Sequence, residues 1–210
     1  MQLLTEADFS KLKTENILLL DTRPIEVAAE NIFEDALNIP WGNTFLEIFQ
    51  NIVSSEQPLV VICEEANAVA ISKAILGSGF AAVKGYITAS ELQHENTSVI
   101  IVVDAQEFAI DFNYDEFYLI DVRTTEDFEA EFIDGSENIP MDDLAAMSQE
   151  LSENMRIYVV GATAEQAFTA TSLLKRNGVE LARTVAATFD EIRETGIPII
   201  KPKKANKTIS

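Results

Sequence analysis

The chain has one cysteine, Cys63, and its setting is one in which a thiol can become a nucleophile. Cys63 closes the run Leu59-Val60-Val61-Ile62, whose four β-prone apolar residues predict a strand buried on both faces. After it come Glu64-Glu65-Ala66-Asn67-Ala68 and the Ala-rich amphipathic stretch Val69 to Leu76, which predicts a helix ended by Gly77-Ser78-Gly79. A side chain between a strand's carboxyl end and a helix's first turn meets free N–H groups and the positive end of the helix dipole. That environment lowers a thiol pKa from its free value of about 8.5 and favours the thiolate. The plainer alternative is a small buried hydrophobe, which is what most free cysteines are. Glu64 and Glu65 act against a thiolate and against small anionic reagents. Lys73 is the only cation nearby in sequence, and a solvated helix face is its ordinary reading.

The rest of the chain must build a platform for this loop. With 210 residues, 47% of them hydrophobic, it is long enough for one large or two small globular domains. No apolar run approaches the roughly 18–20 residues that cross a bilayer, and the first residues show no signal-peptide pattern. One cysteine allows no internal disulfide and suits a reducing cytoplasm, the expected location. A net charge of −20 argues against nucleic acid and anionic membrane as partners. Lys201 to Lys207 is the basic exception, a short C-terminal tail whose simplest reading is disorder.

Read in order, Thr5-Glu6-Ala7-Asp8 opens as a capped helix. Ile17 to Leu20 reads as a buried strand, Asp21-Thr22-Arg23 as its end, and Pro24 as the start of a helix. Ala36 to Pro40 is a short strand, Phe45 to Ile52 a helix, Ala81 to Val83 a last strand, and a helix follows near Ser90. The series then recurs. Asp121-Val122-Arg123 repeats Asp21-Thr22-Arg23, Asn138-Ile139-Pro140 repeats Asn38-Ile39-Pro40, and Ile157 to Val160 repeats the cysteine strand. Five elements at a nearly constant offset predict two copies of a domain of about 100 residues. The expected boundaries are 1–95, 98–200 and a tail at 201–210, with the linker near His94 to Thr97. Buried strands alternating with helices predict an α/β class, each half an open parallel sheet with helices on both faces.

With the repeat laid out, each half resembles the rhodanese-like (sulfurtransferase) domain. The resemblance rests on the ordered set of strand, Asp-x-Arg, helix, Asn-Ile-Pro, helix, strand, loop, helix and closing strand. Ile133-Asp134-Gly135-Ser136 and Phe189 to Pro198 complete it in the second half. It implies two three-layer domains with the active loop at the sheet's carboxyl edge, where open parallel sheets place ligands generally. It further implies Cys63 as catalytic persulfide carrier and the backbone of Glu64, Glu65, Ala66, Asn67, Ala68 and Val69 as the anion cradle. Arg23, with Glu26 and then Val27 after it, has a less obvious compensating acid than Arg123 and is the candidate for a further substrate-binding residue facing that loop. The implied partners are a sulfur donor and an acceptor, small molecule or protein; no cofactor and no metal is implied.

This sequence departs from the family loop, with Ala66 and Ala68 where glycine and a cation are usual, so thiosulfate is expected to be a poor donor. No arginine follows Cys63 before Arg123, so the fold's phosphatase and arsenate-reductase chemistries are excluded. Gly161 occupies the cysteine's place in the second loop, which leaves that site degenerate, with Thr163 as a helix N-cap. The two Asp-x-Arg pairs read as buried anchors, Glu126 to Glu131 as a solvated helix face, and Trp41 as a residue of the site mouth or of interdomain packing. His94, the only histidine, lies in the linker, too little for a histidine-based mechanism. Two functions stay open. One is sulfur transfer through Cys63; the other is a non-catalytic tandem module that binds a protein partner, the second domain being the candidate surface.

Overall fold

The computed structural model describes residues 1–13, 16–92, 95–151 and 155–202. Helix α1 (Glu6–Leu12) starts at a reciprocal cap, in which Thr5 Oγ1 accepts from the Asp8 N–H and the Asp8 carboxylate accepts from Thr5. Strand β1 (Leu18–Asp21), helix α2 (Ile25–Ala28), the two-residue β2 (Ile32–Phe33), strand β3 (Ala36–Asn38) and helix α3 (Phe45–Ile52) follow. The cysteine strand is β4 (Leu59–Ile62), and helix α4 (Glu65–Gly77) leads to β5 (Val83–Ile87). The strand expected at Ala81 to Val83 thus starts two residues later and runs to Ile87, because Val83, Gly85, Tyr86 and Ile87 are the residues that pair with β4. A single 3-10 turn, Ala89–Leu92, stands where a helix was expected.

These four main strands form a parallel sheet in the order β3-β1-β4-β5, and a parallel bridge from Leu3 to Tyr86 extends its free side. Leu18, Leu19 and Leu20 of β1 pair with Leu59, Val60 and Val61 of β4 and all six are buried, as a doubly covered sheet requires, while the last residue of β1, Asp21, is buried opposite Ile62. Strand β6 (Thr97–Ser98) then pairs antiparallel with β2. Thr97, expected in the linker, is therefore a partner of Phe33.

The second half repeats the series with β7 (Ile101–Val103), α5 (Ala105–Tyr114), β8 (Tyr118–Asp121), α6 (Thr125–Ala130), β9 (Phe132–Ile133) and β10 (Ser136–Asn138). It continues with α7 (Leu144–Met147), β11 (Ile157–Val160), α8 (Ala164–Arg176), β12 (Ala182–Val185), α9 (Phe189–Glu194) and β13 (Ile199–Ile200). Its parallel sheet runs β10-β8-β11-β12-β7, the same order with a longer fifth strand, and β13 pairs with β9 as β6 does with β2. The helices after the two loops end alike, at Gly79 (φ 93°) and Gly178 (φ 92°), in a backbone region that only glycine enters without strain.

The halves share one core. A single apolar cluster contains Leu20, Phe49, Val61 and Ile75 of the first and Ile120, Ile157, Val159 and Leu174 of the second. Helix α8 is the element that joins them, packing on its own β11 and β12 and across onto β3. Its sequence has small residues where it nears the foreign strand, and Ser172 Oγ accepts the Asn38 backbone N–H at 3.0 Å. That N–H belongs to an edge strand and is otherwise buried without a partner. Ser172→Ala is expected to lower stability by about 1–3 kcal/mol, the cost of an unsatisfied buried donor, read as a shift of the urea midpoint.

Candidate active-site loops and the cleft between the halves

Each β1-type strand ends in an Asp-x-Arg anchor at the sheet's carboxyl edge. The Asp21 carboxylate accepts from Arg23 Nε (3.0 Å), Nη2 (2.7 Å) and the Arg23 backbone N–H (3.0 Å). The remaining donors of Arg23 go to the side chain and carbonyl of Asn31, at 2.8 and 3.0 Å. Arg23 was expected to bind substrate beside Cys63; its guanidinium is instead buried, held by Asp21 and Asn31 and stacked over Phe33. Arg123 does the same with Asp121 and the Glu131 carbonyl, and lies over the Phe189 ring at 3.5 Å. The partner of each arginine is the aspartate two residues before it, and neither Glu126 nor Asp127 is involved. Glu131 stands outside α6 and pairs with Arg193 and Lys201, so it is no part of a solvated helix face.

The next strand carries Cys63. Its backbone N–H donates to the Ile87 carbonyl (3.2 Å), while the Ile62 carbonyl accepts from the N–H and hydroxyl of Thr22. Only Glu64 separates Cys63 from α4, which begins at Glu65. This leaves no loop to surround the sulfur. The Asn67 N–H bonds to the Glu64 carbonyl at 2.9 Å, and those of Ala68 and Val69 enter the helical ladder. Glu64, Glu65, Ala66 and Val69 are exposed, Asn67 is half-buried and Ala68 is buried. Cys63 itself is 3% exposed and joins the apolar cluster that includes Ala68 and Ile71. Burial, with the Glu64 charge added, pushes its thiol up to about 11. The helix N-terminus was expected to lower this pKa; it is raised instead, because the side chain is packed in the apolar cluster with Ala68 and Ile71 and the Glu64 charge is beside it.

The second loop is one residue longer, Gly161-Ala162-Thr163 before α8. Thr163 Oγ1 accepts from the Gln166 N–H, the N-cap role expected of it. The Gln166 side chain turns back into the loop, where Oε1 accepts from the Ala162 N–H at 2.7 Å and Nε2 donates to the Val122 carbonyl at 3.3 Å. A Cβ on Gly161 would lie 2.9 Å from Gln166 Oε1 and 3.1 Å from the Ala167 nitrogen. Glycine at this position is therefore coupled to the glutamine plug, and a cysteine there would have to displace it.

The rhodanese-like domain family model matches residues 104–194. Residues 104–194 form a rhodanese-like domain. No curated protein matches the chain. Among solved structures, the Alr3790 protein from Anabaena sp. is similar at 26% identity, over 47% of this chain and 91% of that one, with a TM-score of 0.44. SSP1007 from Staphylococcus saprophyticus is similar at 22% identity, over 47% of this chain and 99% of that one, at 0.44. A thiosulfate sulfurtransferase from Pseudomonas aeruginosa is similar at 16% identity and 0.43, over 97% of this chain and 44% of that one. The chain thus spans less than half the length of that enzyme.

The rhodanese-like domain's plugged loop opens onto a cleft that sequence reasoning missed. A cavity of about 120 Å³ lies between α3 of the first half and this loop, lined by Thr44, Glu47, Ile48 and Asn51 on one side and Thr124, Asp127, Met141 and Gln166 on the other. It adjoins a space of about 360 Å³ bordered by Thr125, Asp142 and Asp143. Cys63 lines neither. Trp41 is half-buried and packs edge-on against Phe45, a core role. Among the described residues no group of three or more His, Cys, Asp or Glu is placed to hold a metal, and no helix is long and apolar enough to cross a membrane. His94 and Lys203 to Lys207 lie outside the described residues.

Proposed function

We propose that the chain is a tandem rhodanese-like module that binds a partner and does not carry sulfur. The single observation that carries this reading is the packing of Cys63, only 3% exposed beneath a helix that begins two residues later. The first half's strand order and paired anchors support reading it as a second rhodanese-like copy. Its binding surface is the cleft between α3 and the Gln166-plugged loop. Glu47, Asp127, Asp142 and Asp143 on its walls, with a net charge of −20, select a cationic or neutral polar segment of a protein partner. A reducing compartment such as the cytoplasm suits the single thiol.

The second reading is sulfur transfer, favoured by the place of Cys63 at the carboxyl end of a central strand. There the thiolate would attack a donor's sulfane sulfur, form Cys–S–S⁻, release the donor's remaining anion, and pass the sulfur to an acceptor nucleophile. The first turn of α4 would have to unwind to admit the donor. Thiocyanate formation from cyanide, with mercaptopyruvate or a protein persulfide as donor beside thiosulfate, separates the two. Wild type and Cys63→Ala should give the same background rate, and a Cys63-dependent rate restores the second reading.

A further inference from the structure

Helices α4 and α8 stand at the same place in the two halves, and only α8 is covered. Counted from the first helical residue, Val69 corresponds to Phe168, Ala70 to Thr169 and Lys73 to Ser172. In α8 those three are at most 1% exposed, with Phe168 packed on Ala28, Ile32 and Ile100 and Ser172 holding the Asn38 N–H of edge strand β3. In α4, Val69 is 65% exposed and Leu76 53%, and Ala70 and Lys73 face solvent. The Lys73 ammonium has no partner among the described residues. An apolar stripe with one free cation is thus left open where the duplicate helix shows what covers it, the edge strand of a neighbouring half.

The matching edge is also open. Strand β10 is the second sheet's edge, in the register on β8 that β3 has on β1, with Asn138 opposite Asp121 as Asn38 is opposite Asp21. The Ile139 N–H goes to the Asp121 carbonyl, so the Asn138 N–H turns away from the sheet, as that of Asn38 does toward Ser172. Glu137 is exposed.

We propose that α4 of one copy of this chain docks on the β10 edge of a second copy, repeating between molecules the α8–β3 contact made within one. Val69 and Leu76 supply the apolar surface, and Lys73 meets Glu137 and the Asn138 carbonyl. The contact is heterologous, so each added copy leaves one helix and one edge free. The net charge of −20 opposes it, and the association therefore strengthens as salt screens the repulsion.

Sedimentation equilibrium across a concentration series, at low salt and at about 1 M salt where the Debye length is about 3 Å, tests this. The weight-average mass should rise with concentration and salt without levelling at a dimer. Val69→Glu should weaken association at least tenfold. Lys73→Glu and Glu137→Lys should each weaken it alone, and an equimolar mixture of those two variants should recover it. A mass that stays monomeric in high salt, or association that neither Val69→Glu nor the charge pair alters, overturns the proposal.

Discussion

Asp121→Ala is expected to lower the unfolding free energy by about 3–5 kcal/mol. The Asp121 carboxylate is fully buried and accepts three donors of Arg123, whose guanidinium is only 5% exposed. Removing it leaves a cation inside a closed site with only the Glu131 carbonyl and the face of Phe189 to answer it. Because whole domains are stable by only about 5–15 kcal/mol, this one change consumes a large share of the margin. Urea denaturation followed by near-ultraviolet circular dichroism reads it. Replacing Asp121 and Arg123 together by apolar residues should recover much of the loss, since the cost is that of an unpaired charge rather than of a missing ion pair. A loss below about 1 kcal/mol would mean that water reaches the guanidinium and that the anchor does not hold the loop's base. Asp21→Ala should behave alike in the first half.

The second large effect is kinetic. Alkylation of Cys63 at neutral pH is expected to be about a hundredfold or more slower than that of a model thiol. A thiol raised to about 11 from its ordinary value near 9 holds about a hundredfold less thiolate, and enclosure slows the reagent further. The rate should rise with pH toward about 11 and should jump to the model value on unfolding in urea. The linkage has a fixed sign. The folded thiol keeps its proton to higher pH than the unfolded one, so its contribution to stability is complete below about 8.5–9 and is lost as pH rises through about 11. Reaction at or above the model rate would place the sulfur at the surface.

Much of this was legible in the chain. The paired Asp-x-Arg and Asn-Ile-Pro elements predicted two parallel sheets, and two parallel sheets are present, because a doubly buried strand is marked by an unbroken apolar run; their strand order was not legible. The anchoring of Arg23 was half legible. Its burial followed from the neighbouring aspartate, but its commitment to Asn31 depends on a turn eight residues away. The direction of the Cys63 pKa shift was misread because strand-then-helix spacing locates a helix N-terminus without saying on which side of it the sulfur packs. One signal was available. Cys63 to Gly79 is one residue shorter than Gly161 to Gly178, so the cysteine-bearing loop is the tighter of the two. The Gln166 plug and the α3 cleft were out of reach, since both need the two halves in place.

The central claim is that Cys63 takes up no sulfur in the folded protein, and intact-protein mass spectrometry tests it most directly. Wild type and Cys63→Ala would be exposed in turn to thiosulfate, mercaptopyruvate and a protein persulfide, then weighed without reduction. The expected result is one unchanged mass for both proteins with every donor. An adduct of a single sulfur on wild type alone would contradict the claim, make Cys63 a persulfide carrier, and identify the class of donor that opens the first turn of α4.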